Sequence, residues 1–282
     1  MYIDYIDRVP NPPLDAFVAS IWFCQGSPRP HTLERVLPFG AAQLIVNLKE
    51  DQTRVYRPES GFRCETSSGT ILAGIQSRYS VIDTAEQECV LGVSFKPDGT
   101  TPFFRVPAHE ARDADMPLEL LWGRCRATDL REQLLEAPTP HAKIGVMERT
   151  LAAMCRLPGP DRVVTFAVDA FTRDCDVRIA AVADKTGLSP KRFIERFKTA
   201  VGLSPKRYCR VLRFQKVLAR ANGDARVDWT RVAMDCGYFD QAHFIHDFRA
   251  FAGLTPTGYQ AARTEFQNHV KFLQSDTGVV MR

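Results

Sequence analysis

Val232-Ala233-Met234-Asp235-Cys236-Gly237-Tyr238-Phe239-Asp240-Gln241-Ala242-His243-Phe244-Ile245-His246-Asp247-Phe248-Arg249 decides the reading of this chain, because its pattern already stands earlier in the sequence. Val182-Ala183 and Gly187 return at an offset of 50 as Val232-Ala233 and Gly237. After one inserted residue, Ser189, Phe193, Ile194, Phe197, Lys198, Gly202, Leu203, Ser204, Pro205 and Tyr208 return at an offset of 51, from Asp240 and Phe244 to Pro256 and Tyr259. Each copy reads as a first helix with a small alanine for close packing, a turn at glycine, and a second helix. Ser189 and Asp240 are N-caps, with Pro190 at the first helical position of the earlier copy. Ser204-Pro205 and Thr255-Pro256 repeat the cap-and-proline signal for the helix that follows each unit. A valine-alanine pair and a glycine alone would mark any helical hairpin. Duplicated with its caps and aromatics, the pattern is a helix-turn-helix used twice.

At about 100° per residue, Phe193 and Phe197, like Phe244 and Phe248, form core stripes on the second helices. Opposite the first pair lie Lys191, Glu195 and Lys198, flanked by Arg192 and Ile194. Opposite the second lie Ala242, His246 and Arg249, flanked by His243 and Ile245, with Gln241 in the first turn. These side chains suit a major groove: Lys and Arg reach guanine, Gln pairs with adenine, Glu accepts from cytosine, and Ile touches a thymine methyl. His243 and His246 rank first as DNA contacts, then as plain surface residues. A metal site comes last, for want of a third ligand nearby. Pro205 to Ala221 reads as one helix, ~24 Å long at 1.5 Å per residue. It suits a spacer that holds two reading helices near successive major grooves.

Charge agrees with this division. Residues 1–160 hold 17 Lys+Arg against 20 Asp+Glu, whereas residues 161–282 hold 20 against 13. Between Lys185 and Arg220 eleven bases face one acid, Glu195. A charge run alone marks only a solvated face, but beside a duplicated helix-turn-helix it is the footprint of a phosphate-binding surface. Leu157-Pro158-Gly159-Pro160 breaks both helix and strand and reads as a hinge. The expected organisation is therefore 1–158, 159–265 and a tail at 266–282.

The first part changes character once. Short β-rich runs at 41–48, 54–57, 70–75, 79–83 and 89–95 predict a small antiparallel barrel or sandwich. Helical periodicity follows at 117–136, with Leu118, Leu121, Trp122, Leu130, Leu134 and Leu135 on one face, and at 142–156. The fold class expected is α+β: a β-rich domain with flanking helices, then an all-α domain of two helix-turn-helix units on a long helix. Eight scattered cysteines without C-x-x-C spacing predict reduced thiols. His31, His109 and His141 stand far apart with no H-x-H, so neither a metal nor another cofactor is expected. No apolar run approaches the ~20 residues of a membrane span, and the acidic start lacks a signal-peptide pattern, so a cytoplasmic protein without membrane contact is expected.

Residues 163–262 resemble the DNA-binding domain of the AraC/XylS transcriptional regulators, on Gly202-Leu203-Ser204-Pro205, Tyr208, Arg213 and the whole second unit. The resemblance implies double-stranded DNA as partner, RNA polymerase as a further one, and activation or repression as outcome. It implies base readout at Lys191, Arg192, Ile194, Glu195, Gln241, Ala242, His243 and His246. Ser189, Arg196, Lys198, Lys206, Arg207 and Arg249 are the expected phosphate contacts. Glu195 and Ala242 depart from common family choices, so no target sequence transfers. The first half resembles the β-rich domain of uncharacterised function in a subset of the family, on Arg35-Val36-Leu37-Pro38-Phe39-Gly40, Gly92-Val93-Ser94-Phe95-Lys96-Pro97-Asp98-Gly99 and Pro117-Leu118…Leu121-Trp122-Gly123. The resemblance implies a cupin-like barrel or sandwich that binds an effector or dimerises; a small apolar effector is expected, with Phe23, Leu44, Val46, Tyr56 and Phe95 as barrel core or pocket lining, or a homodimer. Catalysis is not expected. A DNA-repair enzyme with the same reader would need a zinc or acceptor-cysteine motif that Cys24, Cys64, Cys89 and Cys125 do not form. An architectural binder would show weak sequence preference.

Overall fold

The computed structural model describes residues 3–27, 32–156, 159–222 and 227–272. The hinge residues Leu157 and Pro158, His31, and positions 273–282 of the expected tail lie outside them. Among the described residues ten strands come from the first half: β1 (Ile3–Arg8), β2 (Val18–Gly26), β3 (Leu33–Val36), β4 (Gln43–Asn47), β5 (Gln52–Tyr56), β6 (Cys64–Ser68), β7 (Thr70–Ala73), β8 (Ser80–Asp83), β9 (Cys89–Phe95) and β10 (Asp115–Pro117). An eleventh, β11 (His269–Lys271), comes from the far end of the chain. They form two antiparallel sheets, ordered β1-β2-β9-β4-β7-β10 and β11-β3-β8-β5-β6. The β-rich runs at 41–48, 54–57, 70–75, 79–83 and 89–95 thus overlap β4, β5, β7, β8 and β9.

The six-stranded sheet shows the alternation that buries one face. Ile21 and Phe23 of β2 and Leu44 and Val46 of β4 are buried, while Ser20, Trp22, Cys24, Gln43 and Ile45 between and beside them are less so. Central β9 is buried on both faces from Val90 to Val93, and Gly92 sits opposite Trp22 in the register. A Cβ at Gly92 would stand 2.1 Å from the indole, so the ring lies directly over the glycine backbone. Phe23, Leu44, Val46 and Phe95 are core residues between sheet and helices rather than a cavity lining.

Helices α1 (Leu118–Trp122), α2 (Arg124–Glu136) and α3 (Pro140–Met154) cover that apolar face with Leu118, Leu130, Leu134, Ile144, Met147 and Leu151. The single helix read over 117–136 is interrupted at Gly123, whose φ of +88° takes the chain out of helical backbone. The break shifts the phase of α2 relative to α1: Leu134 is buried, but Leu135, expected on the same face, is 43% exposed.

The second half is helical: α4 (Arg162–Arg173), α5 (Ile179–Lys185), α6 (Pro190–Val201), α7 (Pro205–Ala221), α8 (Trp229–Asp235), α9 (Gln241–Ala252) and α10 (Pro256–Ala262). Helices α5 and α6 are the first repeat and α8 and α9 the second, with α7 between them. Gly187 and Gly237 make the turns at φ +71° and +80°. Phe193, Phe197, Phe244 and Phe248 are all at most 1% exposed. Phe248 touches the rings of Phe214, Trp229, Phe244 and Tyr259, with centroids 5.3–5.8 Å apart.

The segment 266–272, read as the start of a tail, instead adds an edge strand to the β-rich half. β11 pairs with β3, His269 to Val36 and Lys271 to Glu34. Buried Glu34 accepts from His269 Nδ1 at 2.9 Å, and Arg35 donates to the Lys271 carbonyl while its guanidinium lies 4.5 Å from the Phe272 ring centroid. All eight cysteines are free thiols. Among the described residues no helix is long and apolar enough to cross a membrane.

Candidate nucleic-acid interface

Helices α6 and α9 start from side-chain caps. Ser189 Oγ accepts from the Arg192 N–H at 3.5 Å, and Asp240 Oδ1 accepts from the His243 N–H at 2.7 Å. Pro190 leaves α6 without the donor that a cap would otherwise have to satisfy. On α6, Ser189, Lys191, Arg192, Ile194, Glu195 and Arg196 are exposed and Lys198 is partly so. On α9, Gln241, Ala242, His243, His246 and Arg249 are exposed. The candidate base-reading residues therefore stand on the open faces at the N-terminal ends of both helices, opposite the phenylalanines.

The opposite ends are covered. Both helices stop at glycines equivalent in the repeat, Gly202 at φ +93° and Gly253 at φ +66°. Both glycines meet the β7–β8 connection of the first half. A Cβ at Gly202 would stand 2.5 Å from Ile75, and one at Gly253 2.3 Å from the Tyr79 ring. Backbone donors reach the last-turn carbonyls, which have no partner within their own helix. Ala108 N–H donates to Thr199 O at 2.9 Å and Tyr79 N–H to Phe251 O at 3.0 Å. Between them, Gln215 of α7 donates to Pro38 O at 2.7 Å, and Leu37 and Ile75 join the helical core. One surface of the β-rich half thus holds the C-terminal ends of α6 and α9 and the helix α7 that links them.

Tertiary pairing thins the basic run. Arg196 donates to Asp161 at 2.7 Å, Arg210 makes two bonds to buried Asp247, Arg213 pairs with Asp176, and Arg220 donates to Asp235 at 2.9 Å. Arg207, expected on phosphate, is partly buried and directed at the β-rich half. Burial lowers its pKa against the pull of Asp113, and its Nε is buried without a hydrogen-bond partner among the described residues. Exposed Lys206 next to it is free of that contact. Lys191, Arg192, Lys198 and Lys206 carry the charge that no carboxylate among the described residues takes up.

Two acids escaped the sequence reading. Asp247 follows His246 on α9 and is buried, 3.8 Å from His243 Nε2 and 3.7 Å from His246 Nδ1, while gripping Arg210 of α7. Its signal was an acid beside the core stripe, one residue before Phe248. Asp161 caps α4 through the Val163 and Val164 N–H groups and also accepts from Arg196. Burial works to raise its carboxyl, but Arg196 and the two N–H groups hold it below the ordinary value.

Comparison with known proteins agrees with this geometry. Residues 182–262 match a family described as a helix-turn-helix domain, and residues 7–117 match a domain of unknown function. No curated protein matches the chain. Similar solved structures include the C-terminal domain of AraT, a response regulator from Geobacillus stearothermophilus, at 21% identity over 38% of this chain and 91% of that one, TM-score 0.34. A DNA-binding transcriptional dual regulator from Escherichia coli K-12 is 24% identical over 36% of this chain and 97% of that one, TM-score 0.31. ToxT from Vibrio cholerae is 9% identical over 92% of this chain and 98% of that one, TM-score 0.45. On the duplicated unit and the family match over it, residues 182–262 form a helix-turn-helix domain of the AraC type, with a domain of unknown function ahead of it at 7–117.

Proposed function

We propose that this chain regulates transcription by reading two successive major grooves, α6 in one and α9 in the next. Lys191, Arg192, Ile194 and Glu195 read bases from α6, and Gln241, Ala242, His243 and His246 read them from α9. Ser189, Arg196, Lys198, Lys206 and Arg249 hold phosphates, and Arg207 serves the domain contact instead. The observation that carries this is the polarity of the two helices. Their N-terminal ends are exposed, and their C-terminal ends share one support that does not cover the reading faces. The 17-residue α7 supplies a spacer of ~24 Å at 1.5 Å per residue. The β-rich half acts as the sensing or assembling domain, and it influences DNA binding through the contacts at Gly202, Gly253 and Gln215.

Footprinting of the full chain on genomic fragments tests the reading. Two protected patches one helical turn apart, on the same side of the duplex, are expected. Gln241→Ala should cost ~1–3 kcal/mol and relax preference at particular base pairs, whereas Lys206→Ala should weaken all sequences alike and flatten the salt dependence. Equal losses on cognate and random DNA for both variants would refute the residue assignment. A single protected patch would refute the two-groove reading.

A further inference from the structure

The two copies of the helix-turn-helix unit differ by one residue in the turn that leads into the second helix. Gly187-Leu188-Ser189 leads into α6, whereas Gly237-Tyr238-Phe239-Asp240 leads into α9. Leu188 packs against the helical core, and Tyr238, 5% exposed, is part of that core. Ser189 and Asp240 are the caps. The residue without a counterpart is therefore Phe239, and it is 93% exposed, more than any other large apolar side chain among the described residues.

Its neighbours on both sides are fixed. The Tyr238 ring lies 5.2 Å from the rings of both His243 and Phe244, with the Arg213 guanidinium 5.4 Å away, and anchors the turn from inside. Asp240 is extended, at φ −151° and ψ 171°, and is held by its cap bond to the His243 N–H. A single exposed apolar residue elsewhere, such as Leu120 on α1, is ordinary. Phe239 differs in its position. Two peptide units place its Cα within ~7.6 Å of the Gln241 Cα, less than the ~12 Å width of a major groove. A groove that admits Gln241 and the exposed Ala242 therefore takes in Phe239 as well.

We propose that Phe239 is a specificity-determining residue of the second groove, its ring set against the 5-methyl group of a thymine within about two base pairs of the base that Gln241 reads. The chemistry leaves one match. Base edges in the major groove carry donors and acceptors, and the thymine methyl is their apolar group. A phosphate offers a phenyl ring no hydrogen bond, and apolar wedges between base steps belong to minor-groove binders. Ala242 adds a second apolar contact on the same side of the helix start. The first unit lacks the extra residue and has Lys191 where α9 has Ala242, so α6 reads by polar contacts and α9 partly by an apolar one. This assignment rests on α9 being a reading helix.

The test starts by selecting duplexes from a random pool with the full chain. Gln241→Ala then marks the α9 patch by the base whose preference it relaxes. In the selected duplex each dT in both protected patches is replaced singly by dU, which removes only the methyl. One replacement, within about two base pairs of the Gln241-dependent base, should weaken wild type about fourfold, as the loss of one buried methyl requires. Phe239→Ala should bind the selected duplex about tenfold more weakly, at an unchanged melting temperature, and should bind its dT and dU forms alike. Phe239→Leu, which keeps an apolar body, should retain part of the dT preference. No thymine in that window, no dU effect on wild type there, or an undiminished dU effect in Phe239→Ala would overturn the proposal. So would a Phe239→Ala loss that is equal on selected and random duplexes, which would place the ring on the backbone. A loss seen only as altered protein-to-DNA stoichiometry would place the ring on a second copy and overturn it too. A Gln241→Ala variant that keeps every base preference would refute α9 as a reading helix, whereas intact Gln241 dependence beside an inert Phe239→Ala would refute this proposal alone.

Discussion

Gly253→Ala tests whether the β-rich half really supports the second reading helix. Gly253 closes α9 at φ +66°, where an L side chain costs ~1–2 kcal/mol. Part of that is offset, since alanine also stiffens the unfolded chain by ~0.4–1 kcal/mol. A second cost is specific to this structure: the new methyl would lie 2.3 Å from Tyr79 Cε1 and 2.7 Å from its hydroxyl. Relief requires the ring to swing away from Arg35, 5.6 Å below it, and from Phe62, whose centroid is 6.5 Å away. Together these predict a loss of about 2–3 kcal/mol in the full chain, of which about 1 kcal/mol survives once Tyr79 is alanine. The assay is a double-mutant cycle by urea denaturation of wild type, Gly253→Ala, Tyr79→Ala and the double variant. A coupling near 1–2 kcal/mol between positions 174 residues apart is expected. If the two losses add to within ~0.5 kcal/mol, the ring does not sit on the helix end, and the support proposed for α9 fails.

Three further outcomes are expected from the packing. Phe248→Ala should cost ~3–5 kcal/mol, the range for emptying a buried phenylalanine site, and a normally stable variant that only loses DNA affinity would place the ring in the groove instead. Ending the chain at Glu265 removes His269 and Lys271 from buried Glu34 and Arg35. It should lower stability by at least about 1–3 kcal/mol, read as a lower urea midpoint, and an unchanged midpoint would mean that β11 contributes nothing. Burial, partly opposed by Arg54, raises the Glu86 carboxyl to about 8. The folded chain then keeps a proton that the unfolded chain has released. That contribution is complete below the ordinary carboxylate pKa and fades as pH rises towards the folded value, so Glu86→Gln should gain on wild type between roughly pH 5 and pH 8 in thermal melts; a pH-independent difference would contradict the shift.

Much of the reader was legible in the chain because its signals are local. Ser189, Asp240, Ser204 and Thr255 cap their helices through N–H groups three residues on, and Phe193/Phe197 and Phe244/Phe248 meet their core by helical period alone. The exposed faces of α6 and α9 come from the same arithmetic. Strands such as β1, β2 and β3 were harder to see, since their apolar positions gain meaning only from the partner across the sheet. Leu135 was placed wrongly because one positive φ at Gly123 shifted the helical phase beyond it.

What the sequence by itself determined is the duplicated helix-turn-helix, its caps, its core rings and the sign of its surface. Only the tertiary structure decided which charges remain available. Arg213 finds Asp176, Arg210 finds Asp247 and Arg207 turns to the β-rich half. Only it decided that Lys271 pairs with Glu34 and that Tyr79 lies on Gly253. Caps and helical faces are set by residues a turn apart, whose geometry the backbone dictates. Ion pairs and sheet edges are set by residues tens to hundreds of positions apart, and their meeting depends on how the two halves pack.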